Sequence, residues 1–175
     1  MIIAIDTREQ MPLNIKAGAD IQEVITTKLP FGDYAMKLTA NDAYVPVFFE
    51  RKSITDLWGT LTTGMDRFKK ELERAKESKV TLYLAIEGTI LDVHTGVSFS
   101  IVRGSQIVRT IFSLKVRYGL EPVFCPNREQ MKYYIYETFD AVRRVYEKAS
   151  PLKTPLKTPL KGGIQSADCI AELDR

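Results

Sequence analysis

Residues 44–61, YVPVFFERKSITDLWGTL, contain two elements of secondary structure with no linker between them. The first half is apolar and rich in Val and Phe, which favours a strand over 44–52. Ser53 follows at once and stands three residues before Asp56, the spacing of a helix N-cap, so a helix is predicted through Leu61. A strand that passes directly into a helix is typical of an α/β sheet.

The segment upstream of this stretch predicts three further elements. The β-branched residues 2–5 favour a buried strand. The residues at 20–23 have the spacing of a capping box and favour a short helix. Residues 29–37 contain Pro and Gly and then become apolar, so they should bend and then form a hairpin with strand 44–52.

The segment downstream continues the alternation of strands and helices. The predicted elements, in order, are a helix after Gly64, a strand at 80–87, a helix at 98–118, a strand at 121–125 and a helix that opens with a capping box at 127–130. This order predicts an α/β fold with helices on the faces of one sheet.

Composition excludes several classes of protein. With 175 residues, of which 45% are hydrophobic and 27% charged, the chain is expected to form one compact domain that needs no disulfide or structural metal. The single histidine, His94, excludes multi-histidine zinc sites, and two cysteines cannot make a disulfide framework. The sequence shows no signal peptide, no P-loop and no membrane span, and we expect a cytoplasmic or nuclear protein. The net charge of +3 permits a polyanionic partner but does not require one.

The composition changes at residue 150, where the sequence becomes PLKTPLKTPLKGG. Regular proline excludes a helix interior and favours an extended chain. We therefore predict a domain at 1–149 and a flexible Pro/Lys-rich tail at 150–175 that ends in a short segment. Such a tail is either a solvated linker or a lysine-bearing tether for nucleic-acid phosphates or a protein partner.

The residues with most chemical content are Asp33, Glu50 and Lys52. Side chains alternate along a strand, so Glu50 and Lys52 share one face and Arg51 lies on the other. Carboxylates gathered beside a lysine suit an all-oxygen Mg²⁺ site that activates water for phosphodiester hydrolysis. The bare pattern D-x(n)-E-x-K is also compatible with a solvated sheet edge that carries salt bridges.

The wider pattern is more specific than the three residues alone. Residues 50–56 read E-R-K-x-x-x-D, and they are preceded by LPFGDY at 29–34 and by IDTRE at 5–9. The sequence AIEG follows at 85–88. From Met1 to about Lys148 the chain resembles the nuclease domain of the XPF-type structure-specific DNA endonucleases (the xeroderma pigmentosum group F, Mus and Hef group), whose signature is G-D, a gap, then E-R-K-x-x-x-D.

The resemblance implies a restriction-endonuclease-like α/β fold, with a mixed central sheet flanked by helices. It implies cleavage of branched, flapped or junction DNA with Mg²⁺ or Mn²⁺, a part in DNA repair and recombination, and pairing as a homodimer or heterodimer. The implied metal ligands are Asp6, Asp33 and Glu50. The implied catalytic set is Asp33, Glu50 and Lys52, with Arg51, Asp56, Arg8 and Glu9 in support.

Some of these residues have simpler interpretations. Asp56 is also what a helix N-terminus would carry to satisfy backbone donors, and Arg51 is also what a structural salt bridge would use. On the helix after the signature, the candidate DNA-binding residues are Arg67, Lys69, Lys70 and Arg74. A solvated helix face would carry the same charges.

Three rival functions remain beside the endonuclease. One is a catalytically silent DNA-binding or scaffold subunit of a heteromeric nuclease, although such subunits characteristically lose the signature acids that stand here. Another is a different enzyme of the same fold, such as a restriction enzyme or a Holliday-junction resolvase, which the E-R-K-x-x-x-D pattern disfavours. The last is a non-nuclease α/β protein, for which the sequence offers no positive indication.

Overall fold

A computed structural model of the protein describes residues 1–149, and the predicted tail at 150–175 lies outside the described residues. The strands of this part are β1 Ile2–Asp6, β2 Glu23–Thr27, β3 Tyr34–Lys37, β4 Val47–Ser53, β5 Thr81–Glu87 and β6 Glu121–Cys125. The helices are α1 Ile54–Leu61, α2 Met65–Glu77, α3 Ile90–Thr95, α4 Gly104–Tyr118 and α5 Arg128–Ala149. None of these helices is both long enough and apolar enough to cross a membrane.

All the strands of residues 1–149 join one mixed sheet in the order β2-β1-β3-β4-β5-β6. β3 runs antiparallel to both β1 and β4, whereas β2 pairs with β1, β5 with β4 and β6 with β5 in parallel. The predicted α/β fold with a mixed central sheet flanked by helices is confirmed. The predicted hairpin of β3 and β4 is confirmed as well.

Apolar side chains form two buried clusters, and adjacent residues of β4 supply both. Phe48 belongs to the cluster that α1, α2 and α4 cover, which includes Trp58 and Leu72. Phe49 belongs to the cluster that α5 covers, which includes Phe139. Because successive side chains of a strand point to opposite faces, the sheet separates the two clusters.

The passage from β4 into α1 is fixed by a side-chain cap. The backbone N–H of Asp56 donates to the Ser53 hydroxyl at 3.1 Å, and that hydroxyl donates to the Asp56 carboxylate at 2.7 Å. The predicted N-cap is therefore confirmed. Since no loop intervenes, the end of β4 and the first turn of α1 hold a fixed relative position.

A glycine before β3 allows the chain to pass close to β4. Gly32 has φ +56°, and a Cβ added there would stand 2.6 Å from the Phe49 carbonyl oxygen. The following Asp33 N–H donates to that same oxygen at 2.6 Å, and the Asp6 N–H donates to the Asp33 carbonyl at 2.8 Å. Gly32 thus permits the close approach that places Asp33 between β1 and β4.

The short helix predicted from the 20–23 pattern is wrong, because this segment leads into strand β2. Residues Glu23–Thr27 pair in parallel with β1, in a register that sets Ile2 opposite Glu23. The segment EVITT carries β-branched residues at Val24 through Thr27, which favour a strand. Pairing with the buried β1 therefore decides the conformation over a local capping pattern.

The region between β5 and α4 also differs from the prediction. The helix expected from residue 98 begins only at Gly104, and Ile101 in the preceding loop is fully exposed. The helix α3 was not predicted, and it contains the single histidine, His94. A capping box closes the start of α3, since Thr89 and Asp92 satisfy each other's backbone N–H groups.

Candidate active site

A cleft of about 690 Å³ opens between α2 and the strand ends of β2, β3 and β4. Its lining mixes acids and bases from four parts of the chain. The lining residues are Arg8, Gln10, Lys28, Leu29, Pro30, Gly32, Asp33, Glu50, Lys52, Arg67, Glu71 and Arg74. The structure therefore brings Asp33, Glu50 and Lys52 into one cleft. Three of the arginines predicted from the sequence, Arg8, Arg67 and Arg74, also line it.

Glu50 and Lys52 form an ion pair within the cleft. The Lys52 Nζ stands 2.6 Å from Glu50 Oε1, and only 19% and 12% of the two side chains are exposed. Burial lowers the pKa of Lys52, but the adjacent Glu50 carboxylate outweighs that effect and raises the pKa above its usual value. Lys52 therefore keeps its proton and offers a positive charge to the cleft.

Asp33 lies beside this pair and is held by the backbone of β4. Its Oδ2 accepts a hydrogen bond from the Arg51 N–H at 2.8 Å. Burial, followed by the negative charge of Glu50, raises the pKa of Asp33 to about 7. Burial also raises the pKa of Glu50 despite the charge of Lys52. Two carboxylates that resist ionisation together make a site that favours an added cation.

Asp6 lies behind the cleft, and both of its carboxylate oxygens accept hydrogen bonds from Arg8 and Leu29. It accepts from the Arg8 N–H at 2.7 Å, from the Arg8 guanidinium at 2.7 and 3.0 Å, and from the Leu29 N–H at 2.6 Å. Burial raises the pKa of Asp6, but these bonds together hold it below its usual value. The Asp6 side chain is fully buried and anchors Arg8, whose own side chain is 64% exposed at the cleft.

A divalent cation would fit Asp33 and Glu50 better than the full set of three predicted ligands. Within residues 1–149 the structure groups no three His, Cys, Asp or Glu side chains closely enough to hold a metal ion. Mg²⁺ commonly takes one or two protein carboxylates and completes its shell with water and substrate phosphate. The paired acids of the cleft meet that requirement, and the part of Asp6 as a third ligand stays a prediction.

Arg51 and Glu9 form an ion network on the opposite face of β4. The Arg51 guanidinium donates to Glu9 at 2.8 and 2.9 Å and to Glu87 at 2.9 Å. Arg128 from α5 also binds Glu87, at 2.5 Å. The side chains of Arg51 and Glu9 are 8% and 3% exposed. This placement follows the predicted alternation and supports the salt-bridge interpretation of Arg51.

The remaining predicted residues lie outside the cleft or on its rim. Asp56 is exposed in the first turn of α1, where Ser53 is the cap, and its carboxylate accepts from the Ser53 hydroxyl rather than from a backbone N–H. Arg67 and Arg74 line the cleft, and the Arg74 guanidinium lies 5.7 Å from the centre of the Phe31 ring. Lys69 faces a depression between α2 and α4 instead. Lys70 is exposed on α2 and is not part of the cleft lining.

Glu71 is the cleft residue that the sequence argument missed. It lies on α2, it accepts from the Gly32 N–H at 3.4 Å, and its charge raises the pKa of Glu50. Arg67, Glu71 and Arg74 step by four and three residues, which places them on one helix face. That spacing is visible in the sequence and is the signal by which Glu71 could have been found.

Comparisons with known proteins indicate the family of the chain and agree with its fold. The sequence matches the ERCC4 domain family over residues 5–138. The solved structures of XPF from Aeropyrum pernix, one alone and one in complex with DNA, are each 18% identical with a TM-score of 0.57, and each match covers 99% of this chain and 80% of that chain. No curated protein sequence gives a significant match. The family match spans more than half of the chain, so this protein belongs to the ERCC4 domain family of structure-specific DNA nucleases.

Proposed function

We propose that this protein is a metal-dependent endonuclease that hydrolyses phosphodiester bonds in branched, flapped or junction DNA. The observation that carries the proposal is the cleft in which Asp33 lies beside the ion pair of Glu50 and Lys52. Bound Mg²⁺ or Mn²⁺ would supply a more acidic water and a counter-charge for the phosphate. Asp33 and Glu50 would hold the cation, with Asp6 as the further predicted ligand.

The residues of the chain have separate parts in this reaction. Lys52 places its ammonium where negative charge grows on the phosphate, and such electrostatic stabilisation commonly contributes about 10²–10³-fold in rate. Despite burial, the Glu50 carboxylate raises the pKa of Lys52, which favours the protonated form for this part. Arg8, Arg67 and Arg74 line the same cleft and are suited to bind backbone phosphates. Asp6 orients Arg8 through its two guanidinium bonds.

The test is a panel of labelled flaps, forks, nicked duplexes and four-way junctions incubated with and without Mg²⁺. We expect cleavage by the native protein with Mg²⁺, and a loss of at least about 10²-fold in Asp33→Asn and Lys52→Ala. Binding of the same DNA in Ca²⁺ should change by less than about threefold, because these residues contact few of the phosphates. The exposed Asp42→Asn and Lys148→Ala serve as matched controls.

The outcomes separate this proposal from a silent DNA-binding or scaffold subunit. A silent subunit would bind the panel and leave every substrate intact in Mg²⁺ and in Mn²⁺. Full cleavage by both site variants would show that the chemistry lies elsewhere. Cleavage confined to branched substrates would agree with a part in DNA repair and recombination.

We also propose that the domain pairs with a second subunit, identical or related, as the resemblance implies. The outer face of α4 supports this, since 42% of Phe112 and 86% of Val116 are exposed. Light scattering of the full chain across a range of concentrations gives the mass directly. A monomer at all concentrations would leave a heterodimer as the remaining form. The tail at 150–175 is a further candidate for a protein or DNA contact.

A further inference from the structure

A second groove, of about 560 Å³, adjoins the cleft along the end of α1 and the start of α2. Its lining residues are Lys52, Thr55, Asp56, Gly59, Thr60, Thr63, Gly64 and Arg67. Lys52 and Arg67 also line the cleft, so the two depressions share a wall. An extended polymer strand that leaves the cleft past Lys52 and Arg67 would enter the groove directly.

The side chains of the groove suit a phosphate backbone rather than bases. Thr55 and Thr60 offer hydroxyl groups, whereas the Thr63 hydroxyl donates to the Gly59 carbonyl at 3.2 Å. Two glycines leave the floor of the groove without side chains. Arg67 and the Lys52 ammonium, which is paired with Glu50 at 2.6 Å, stand at the shared wall, and the one carboxylate of the groove, that of Asp56, accepts from the Ser53 hydroxyl at 2.7 Å. In the described part of the chain the lining includes no aromatic ring on which a base could stack.

We propose that this groove binds the sugar-phosphate backbone of the DNA strand next to the scissile phosphate. The proposal rests on the proposed endonuclease function, because the cleft defines where the strand is cut. Arg67 bridges the scissile region and the next phosphates, and the hydroxyls of Thr55 and Thr60 contact the backbone without regard to sequence. The groove thereby sets the direction in which the strand leaves the cleft.

Gly59 provides a direct way to obstruct the groove. A Cβ added at Gly59 would meet no atom within 4 Å, and the residue is exposed on α1. The variant Gly59→Glu therefore places a negative side chain in the groove without a clash in the protein. Gly18 also has nothing within 4 Å of an added Cβ and lies outside both depressions, so Gly18→Glu is the matched control.

The affinity of each variant for a flapped duplex is measured in Ca²⁺, with cleavage measured in Mg²⁺. We expect Gly59→Glu to weaken binding by about tenfold and to lower kcat/KM in parallel, whereas Gly18→Glu matches the native protein. Arg67→Ala should reduce the salt dependence of binding by about one phosphate contact. Thermal unfolding of each variant confirms that the fold is retained.

A crosslinking experiment locates the strand independently of activity. In a Cys169→Ser background, Thr60→Cys is combined with DNA that carries a thiol-reactive group on the first or second phosphate beside the cleavage point. We expect a crosslink from Thr60→Cys and none from Gly18→Cys.

The two proposals fail in different ways. If the native protein cleaves DNA while Gly59→Glu binds normally and Thr60→Cys gives no crosslink, the groove assignment is overturned and the endonuclease stands. If Mg²⁺ supports no cleavage by the native protein, the endonuclease proposal fails. The crosslinking position is then undefined, and the affinity of Gly59→Glu in Ca²⁺, compared with that of Gly18→Glu, decides by itself whether the groove holds DNA.

Discussion

Replacement of Arg51 by methionine tests whether the ion network behind the cleft stabilises the fold. Arg51 makes two bonds to Glu9 and one to Glu87, and the Glu9 side chain is only 3% exposed. Arg51→Met keeps most of the side-chain volume but leaves the Glu9 carboxylate buried without its main partner. Removing one member of a buried ion pair costs about 3–5 kcal/mol. Glu87 is less affected, because Arg128 still binds it.

The expected loss is large beside the stability of such a domain, which is about 5–15 kcal/mol. At about 2–4 °C per kcal/mol for a domain of this size, a loss of about 4 kcal/mol lowers Tm by about 8–16 °C. Urea denaturation followed by tryptophan fluorescence gives the free energy directly, because Trp58 is 1% exposed in the native core. The exposed Arg109→Met on α4 is the control and should stay within about 0.5 kcal/mol of the native protein.

A double variant separates the buried charge from the loss of packing. Glu9→Gln combined with Arg51→Met removes the unpaired carboxylate, so it should be more stable than Arg51→Met by about 2 kcal/mol. If Arg51→Met lowers the free energy of unfolding by less than about 1 kcal/mol, the network contributes no more than exposed ion pairs do. That result would refute the claim that it stabilises the fold. Equal stability of the single and double variants would refute the part assigned to the Glu9 charge.

Three further predictions concern other positions. Gly32→Ala should lower the free energy of unfolding, measured by urea denaturation, by more than about 2 kcal/mol, because alanine is strained at φ +56° and its Cβ would meet the Phe49 carbonyl. An unchanged urea midpoint would contradict this. Hydrogen bonds from two arginines hold the pKa of Asp140 in the folded protein below the usual 3.8. The ionised Asp140 therefore stabilises the fold above pH 3.8, and this contribution is lost as the pH falls through the lowered pKa of the folded state. Asp140→Asn should be less stable than the native protein at pH 7, and the two should become equally stable in acid. Burial raises the pKa of the Cys125 thiol to about 11. In a Cys169→Ser variant, a thiol reagent should therefore label Cys125 only when the protein unfolds. Fast labelling of the folded protein would show that Cys125 is not buried.

The strand-to-helix passage at the signature was predictable because its causes are local. Alternation along β4 places Glu50 and Lys52 on one face and Arg51 on the other, as the structure has them. The Ser53 cap needs only the three-residue spacing to Asp56. These features depend on neighbours in sequence, so pattern and spacing suffice to find them.

The surroundings of Asp6 were not predictable, because they depend on the misassigned β2. The strand brings Leu29 beside β1, where the Leu29 N–H donates to the Asp6 carboxylate. The Thr7 N–H likewise donates to the Thr27 carbonyl at the end of β2, which fixes the turn that carries Arg8. With residues 20–23 taken as the start of a helix, neither contact could be foreseen. The part of Asp6 as a metal ligand, which the resemblance implies, stays a prediction.

The three consecutive residues Glu50, Arg51 and Lys52 therefore serve two faces of one strand. The side chain of Arg51 stabilises the fold through Glu9 and Glu87, while its backbone N–H holds the Asp33 carboxylate in the cleft. A methionine at position 51 keeps that N–H, so Asp33 retains its bond wherever the strand retains its place. Loss of the Arg51 side chain should consequently reduce activity through unfolding, whereas loss of Lys52 acts on the chemistry of a folded protein. The arginine within the signature thus has a structural part, since it stabilises the strand that presents Glu50 and Lys52 to the cleft.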